Sequence, residues 1–251
     1  MASTNLESLA TKIQACPAVI FDLDGTLIPS LDVWTRTDLY VIRTYGTGLT
    51  KWPKSLLSPL EITRNRVTEA GRLGYLGYSG YLIGTYHMRI TDPDVLHKIR
   101  WEYADKLLRE LDFKPGVVRL IKGLKTRGKK IGLATMSTAH QIHVYEVENH
   151  ITSSQMVFNG YFDYVGLKDH VENNKPDPEV YIRACQALDI TPNQGIAFED
   201  SLEGVEAAKR AGLICVAIMD ENNQQDFEKI KQLADFWIES FEDLANIMNF
   251  V

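Results

Sequence analysis

Close to the N-terminus an apolar run, Ala18-Val19-Ile20-Phe21, leads directly into Asp22-Leu23-Asp24-Gly25-Thr26-Leu27. Such a run, cut off by polar turn residues, reads as a buried strand that ends at a sharp turn. It presents both carboxylates at its C-terminal end. In open α/β sheets that edge is where ligands bind. Two carboxylates ~4 Å apart near a protein surface repel each other by roughly a few kcal/mol. A bound cation turns that repulsion into attraction. The stretch therefore demands a fold that brings a cation and further polar groups to the end of one strand.

The rest of the chain supplies strands at regular intervals, but only after a gap. Residues 31–112 carry helical periodicity and no strand pattern: Val33, Trp34, Leu39, Tyr40 and Ile42 mark one helix. Val95, Leu96, Ile99, Ala104, Leu107, Leu108 and Leu111 mark a longer one after Asp92-Pro93. From Pro115-Gly116 the rhythm changes to alternating helices and short apolar runs. The runs are Ile131–Ala134, Phe162–Val165, Gly195–Phe198, Ile214–Ile218 and Phe236–Ile238. Helices are predicted over about 116–127, after Lys175-Pro176-Asp177-Pro178 with Asp177 as N-cap, from Ser201 to the stop at Gly212 with Val205 and Ala208 inward, and from Ser240. A short helix over 4–15 is predicted from a Thr4/Glu7 capping box. Strands alternating with helices imply an α/β fold built on a doubly wound, Rossmann-like parallel sheet. The expected organisation is a core of residues 1–30 and 113–251, with an all-helical cap domain, 31–112, inserted after the first strand and placed to act as a lid.

Bulk properties narrow the partners. A chain of 251 residues can bury a full core, and a net charge of −6 with no long Lys/Arg run argues against nucleic acid and anionic membrane surfaces. There is no apolar stretch of membrane-spanning length and no basic-then-apolar leader pattern. Cys16, Cys185 and Cys215 are odd in number and widely spaced, as reduced core thiols are, so a cytoplasmic location is expected, with the chain a monomer or homodimer.

In a parallel sheet the C-terminal ends of the strands share one edge. Asp22 and Asp24, Thr135, and Glu199 with Asp200 therefore converge there, and Lys175 opens a nearby loop. Several carboxylates beside a phosphate need compensation, and Mg²⁺ is the hard, oxygen-seeking ion suited to them. The chemistry that uses all of these groups is phosphoryl transfer. Asp22 is the nucleophile, Asp24 the proton donor and acceptor, Thr135 and Lys175 the stabilisers of phosphoryl charge, and Asp200 with Glu199 the metal anchor. Gly25 permits the tight turn that aims Thr26 and its neighbours' N–H groups at phosphate.

The ordered set Asp22-Leu23-Asp24-Gly25-Thr26, Thr135, Lys175-Pro176-Asp177-Pro178 and Glu199-Asp200-Ser201 resembles the haloacid dehalogenase superfamily, and within it the helical-cap phosphatases and β-phosphoglucomutase-like enzymes. The resemblance implies a metal held by Asp22, the Asp24 backbone carbonyl and Asp200, with Glu199 beside them. It places Ser30 and Ser137, with Gly25 and Thr26, around the substrate. It also implies a small phosphorylated metabolite as substrate and an aspartyl-phosphate intermediate. Two departures fall at the entry to the insert: Trp34 stands where mutases of the family carry histidine, and Pro29 where many relatives are acidic. The expectation is a Mg²⁺-dependent phosphatase; the alternatives are a sugar-phosphate mutase and a catalytically silent binding relative. Asp24 speaks against dehalogenation, which protonates no oxygen leaving group.

The insert itself is less explicit. Glycine recurs every three residues from Gly71 to Gly84 with tyrosines between, a pattern read as close helix packing, the alternative being a substrate-facing loop that exposes Tyr75 or Tyr78. Arg64, Arg66 and Arg72 are either a solvated face or partners for a second anionic group on the substrate, for which Arg72 is the candidate. His87, His97, His140 and His143 lack metal-ligand spacing and are expected to be surface or structural.

Overall fold

Phe21 has apolar neighbours on both faces of its strand, and that double burial is what places β1 (Ala18–Phe21) at the middle of the sheet; in the computed structural model, which describes residues 5–48, 57–219 and 226–250, all four residues of β1 are fully buried. A short helix, α1 (Leu6–Ala15), precedes it. Asn5 caps this helix by accepting from the Ser8 N–H at 3.0 Å; the predicted cap Thr4 lies outside the described residues. After β1 come the helices α2 (Leu31–Tyr45), α3 (Pro59–Thr85) and α4 (Pro93–Leu108), then α5 (Val117–Thr126) and β2 (Lys130–Ala134). The chain continues through α6 (Ala139–His143), a π-helical turn (Val144–Glu148), α7 (His150–Gln155), α8 (Phe158–Tyr161) and β3 (Tyr164–Gly166). The last part contains α9 (Glu179–Ala187), β4 (Gly195–Glu199), α10 (Leu202–Ala211), β5 (Ile214–Ile218), α11 (Phe227–Leu233), β6 (Phe236–Ile238) and α12 (Phe241–Ile247).

Six strands form one parallel sheet in the order β3-β2-β1-β4-β5-β6. Alternation along each strand sends side chains to two helical layers. Ala18, Ile20, Ala197, Cys215 and Ala217 pack with Val180, Tyr181 and Ala184 of α9 and Val205 and Ala208 of α10. On the opposite face Phe21 stacks on Phe198 with centroids 5.0 Å apart, and Phe198 meets Phe241 of α12 at 5.5 Å. Each such buried side chain contributes roughly 1.5–3 kcal/mol, so the centre of the sheet, and with it the Asp22 turn, is the rigid part. The chain divides into two compact units, Met1–Pro29 with Leu111–Val251 and Ser30–Glu110.

Two boundaries differ from the sequence reading, at β3 and α9, and the helix α11 is an addition to it. The strand expected over 162–165 is β3, shifted to Tyr164–Gly166. Helix α9 begins at Glu179 with Pro178 at the N-cap, one residue later than predicted, although the Asp177 carboxylate still accepts from the Glu179 N–H at 2.9 Å. Helix α11 was not foreseen; its seven residues, Phe227–Leu233, are too few to establish a period. The Gly212 stop is as expected, in the left-handed conformation at φ 90°.

In the helical unit the glycine–tyrosine stretch is part of α3, not a loop. Gly74, at φ 71° and ψ 170°, interrupts it, a conformation only glycine adopts readily. Gly80 and Gly84 are not sites of tight backbone approach: a Cβ at Gly80 would lie 3.7 Å from Pro93 and one at Gly84 would touch nothing within 4 Å. Of the two tyrosines singled out, Tyr75 is half exposed and Tyr78 packs. Tyr78 is fully buried, donates to the Asp38 carboxylate at 3.1 Å, and shares that carboxylate with the buried Arg100 at 2.8 Å. Arg66 joins this cluster by pairing with Asp38 at 3.6 Å, and it also donates to the Thr35 hydroxyl at 3.0 Å.

Candidate active site

The sheet register sets the site. Phe21 pairs with Leu133 on one side and Phe198 on the other, so Asp22 stands level with Ala134 and Glu199. The Asp22 N–H extends the ladder by donating to the Phe198 carbonyl at 3.0 Å. Because β1 lies between β2 and β4, the connections leave it in opposite directions, which opens a crevice at this edge.

Lys175 ties the strand ends together. Its ammonium, 6% exposed, donates to Asp22 Oδ1 at 2.6 Å, Glu199 Oε1 at 2.5 Å and the Ala134 carbonyl at 2.9 Å. Those three bonds use all three of its protons. Burial alone would lower the Lys175 pKa; the adjacent Asp22 and Glu199 carboxylates outweigh it and hold the amine protonated above its ordinary range. Burial pushes the Asp22 carboxyl well above the usual carboxylate range. Lys175 opposes that rise, and Glu199 and Asp200 add to it.

Glu199 is fully buried and anchored at both oxygens. Oε1 accepts from Lys175 and from the Tyr181 hydroxyl at 2.6 Å; Oε2 accepts from the Asp200 N–H at 3.2 Å and the Ser201 hydroxyl at 3.3 Å. With four donors its lone pairs are committed to the protein. Its carboxylate lies against α10 at Gly204, where a Cβ would fall 2.1 Å from the carboxyl carbon. Asp200, also buried, accepts from the Thr26 hydroxyl at 2.8 Å. Ligand oxygens of Asp22, Glu199 and Asp200 lie within 4.8 Å of one another. One ammonium among three buried carboxylates leaves negative charge uncompensated, and the donors are all oxygen. A small hard divalent cation fits such a set; Asp22 and Asp200 would hold it, while Glu199 holds Lys175.

Asp24 is in a different environment. Its Oδ1 accepts from the buried Tyr145 hydroxyl at 2.9 Å, and its Oδ2 accepts from the Ser137 hydroxyl. Ser137 in turn receives from Thr135 Oγ1 at 3.0 Å, and its N–H donates back to that oxygen, also at 3.0 Å. The Asp24–Ile28 turn is closed by Gly25, at φ 86°, whose N–H donates to the Ile28 carbonyl at 2.8 Å. Lys114 braces the same turn, its side chain on the Gly25 carbonyl and its N–H on the Leu27 carbonyl at 2.8 Å.

Asp22, Asp24, Gly25, Thr26, Thr135, Ser137, Lys175, Glu199 and Asp200 thus share one strand-end region. Ser30, a buried residue at the N-cap of α2, and Arg72 belong to the helical unit. Arg72 is 64% exposed and paired with Glu69 at 2.7 Å. The sequence reading missed Tyr145, Tyr181, Lys114 and Gly204. Tyr181 could have been found by following α9 inward from Lys175. Tyr145 could not, because the π turn adds a residue per turn and rotates the face that 3.6-residue periodicity would assign.

Residues 19–218 match the family model of the haloacid dehalogenase-like hydrolases, and the chain belongs to that family. It is 29% identical over 201 residues to the phosphorylated carbohydrates phosphatase of Thermotoga maritima, covering 78% of this chain and 82% of that one. It is 29% identical over 208 residues to the validoxylamine A 7'-phosphate phosphatase of Streptomyces hygroscopicus subsp. limoneus, covering 79% and 84%. The fold is that of CbbY from Rhodobacter sphaeroides, whose crystal structure contains phosphate: TM-score 0.64, 24% identity, 91% of this chain and 96% of that one. With relatives so named, the chain is an enzyme of the phosphoric monoester hydrolase type.

Proposed function

We propose that the protein is a Mg²⁺-dependent phosphatase of a small phosphorylated carbohydrate, working through an aspartyl-phosphate on Asp22. The observation that carries this reading is the segregation of two aspartates only two residues apart. Asp22 is held among Lys175 and buried acids, and the Asp24 carboxylate accepts from the hydroxyl groups of Ser137 and Tyr145. In the first half-reaction an Asp22 carboxylate oxygen forms a bond to phosphorus as the bond to the ester oxygen breaks. The departing oxygen takes its proton from the Asp24 carboxyl. In the second, Asp24 accepts a proton from water, the water oxygen bonds to phosphorus, and the Asp22–phosphorus bond breaks to release inorganic phosphate. Lys175 holds Asp22 in line, and the Thr135 hydroxyl would turn from Ser137 Oγ, to which it donates at 3.0 Å, toward a phosphoryl oxygen.

Mg²⁺ would be held by Asp22, Asp200 and the Asp24 carbonyl, and when bound it supplies positive charge for the phosphoryl oxygens and the nucleophile. The relatives named for phosphorylated carbohydrates and for validoxylamine phosphate support a sugar-like ester as substrate. Trp34, where mutases of the family carry a histidine, lies edge-on against Trp101 at 4.8 Å and has no titratable group, which supports hydrolysis over return of the phosphoryl group to the sugar. Three buried thiols without a disulfide suit a reducing cytoplasm.

The test is phosphate release from a panel of sugar phosphates, with and without Mg²⁺, by the natural protein and by Asp22→Asn. Release that requires Mg²⁺ and disappears in Asp22→Asn is expected. Turnover retained by Asp22→Asn would remove the covalent step.

A further inference from the structure

Tyr145 has no role in the sequence motifs, yet its hydroxyl, like that of Ser137, donates to the Asp24 carboxylate. The Asp24 carboxylate is bound at both oxygens, by Tyr145 on Oδ1 at 2.9 Å and by Ser137 on Oδ2. Each donor is itself anchored. Tyr145 is fully buried within the π-helical turn, and its carbonyl accepts the Thr152 hydroxyl at 2.6 Å. Thr152 is fixed by Asn149, which accepts from the N–H groups of Ile151 and Thr152 at 2.9 and 3.1 Å and closes the π turn onto the Val144 carbonyl at 2.7 Å. Ser137 is pinned at 3.0 Å on both its N–H and its hydroxyl by Thr135. A carboxylate on a turn would otherwise sample several rotamers. Single-turn π segments are over-represented at functional sites, and this one places a tyrosine hydroxyl where an unbroken α-helix would place another face.

We infer that Tyr145 and Ser137 form a clamp that positions the Asp24 carboxyl for proton transfer, with Ser137 acting on Asp24 and not on the substrate. This rests on the reading of Asp24 as the group that protonates the departing oxygen. Proton donation matters most when the leaving oxygen is a poor leaving group and little when it is a good one. A clamp on Asp24 therefore has a signature that a structural role lacks: its loss falls selectively on poor leaving groups.

The experiment compares kcat and KM for phenyl phosphate, the poorer leaving group, and 4-nitrophenyl phosphate, the better one. It uses the Mg²⁺-loaded natural protein, Tyr145→Phe, Ser137→Ala and Asp24→Asn. The ratio of kcat for phenyl to 4-nitrophenyl phosphate should fall at least about 10-fold in Tyr145→Phe and in Ser137→Ala, further in Asp24→Asn, with KM changed by less than about 2-fold in the two clamp variants. An equal loss on both substrates, or no loss, in both clamp variants overturns the clamp, and a fall in the Asp24→Asn ratio then shows that the reading of Asp24 still stands. A ratio unchanged in Asp24→Asn overturns that reading and the clamp with it. Either clamp variant alone decides the matter should the other fail to fold.

Discussion

Gly204→Ala, on the helix behind the acidic cluster, sets two effects of opposite sign against each other. Alanine in place of glycine in a helix normally gains about 1 kcal/mol. Here the new Cβ would lie 2.1 Å from the Glu199 carboxyl carbon and equally close to both its oxygens. A free carboxylate would swing aside at little cost. This one is fully buried and accepts from Lys175, Tyr181, Ser201 and the Asp200 N–H. Overpacking costs about 1–3 kcal/mol, and each hydrogen bond lost to a charged group about 1.5–3. One lost bond with overpacking already exceeds the helix gain, leaving a net loss of about 1.5–5 kcal/mol. For a chain of this size that lowers Tm by about 3–20 °C. Displacing Glu199 also removes one of the three acceptors of Lys175, so phosphate release should fall together with Tm. Calorimetry and a phosphate-release assay on Gly204→Ala, with the helical and unobstructed Gly84→Ala as reference, measure both. A Gly204→Ala protein as active as the natural one, and stabilised like Gly84→Ala, would show that Glu199 does not sit against α10.

Lys175→Met leaves the buried Asp22 and Glu199 carboxylates without their ammonium, and breaking such a pair costs about 3–5 kcal/mol, so Tm and phosphate release should both collapse; a stable, active variant would refute the role given to Lys175. Mg²⁺ at about 100 times its dissociation constant should raise stability by about 2.7 kcal/mol, a scan by calorimetry should show this for the natural protein, and Asp200→Ala should abolish the rise. Burial would raise the Asp163 carboxyl, but Lys125 and the Ile131 N–H hold it below its ordinary range. A carboxyl lowered in the folded state stabilises above its unfolded pKa and loses that contribution as pH falls through the folded one. The natural protein should therefore melt above Asp163→Asn at pH 7, with the gap closing below about pH 4; a gap constant with pH would contradict the assignment.

The fold was legible because its signals are local. Ala18–Phe21, Gly195–Phe198 and Ile214–Ile218 are short apolar runs bounded by turn residues, and parallel strands buried on both faces take that form. Parallel pairing then sends their polar ends to one edge, so Asp22, Thr135 and Glu199 could be grouped before any distance was known. What escaped the sequence depends on phase and on non-local packing. Tyr145 reaches Asp24 through a π turn, whose register no 3.6-residue pattern reports. The reason for Gly204 is a carboxylate that arrives from β4. The glycine–tyrosine stretch gave the right result for Tyr78, which is core, and not for Tyr75, which is half exposed. It misled for the glycines, because a glycine needed for a positive φ, as at Gly74, looks no different in sequence from Gly84, which meets nothing.

Asp22 and Asp24 begin as equivalent acids in one turn, and the strand geometry separates them. Asp22 is the last position still in register with the neighbouring strands, so its side chain enters the crevice between β2 and β4, where Lys175, Glu199 and Asp200 surround it. Asp24, two residues on, lies in the Gly25 turn beyond the ladder and accepts from the Ser137 hydroxyl, which Thr135 braces at the end of β2, and from Tyr145 of the π turn. One carboxyl thereby meets an ammonium, while the other accepts from two neutral hydroxyls. A nucleophile needs its charge balanced without being protonated, while a group that gives and retakes a proton needs neighbours that tolerate both states. Hydroxyls can donate to a carboxylate or accept from a carboxylic acid, whereas an ammonium can only donate. The division of labour between the two aspartates thus follows from which strand end each one faces. Exchanging the environments should exchange the behaviour: an ammonium introduced beside Asp24 by Ser137→Lys should hold it as carboxylate and block departure of phenyl phosphate's leaving group more than that of 4-nitrophenyl phosphate. Equal rates for the two esters relative to the natural protein would mean that the neutral donors around Asp24 do not set its role.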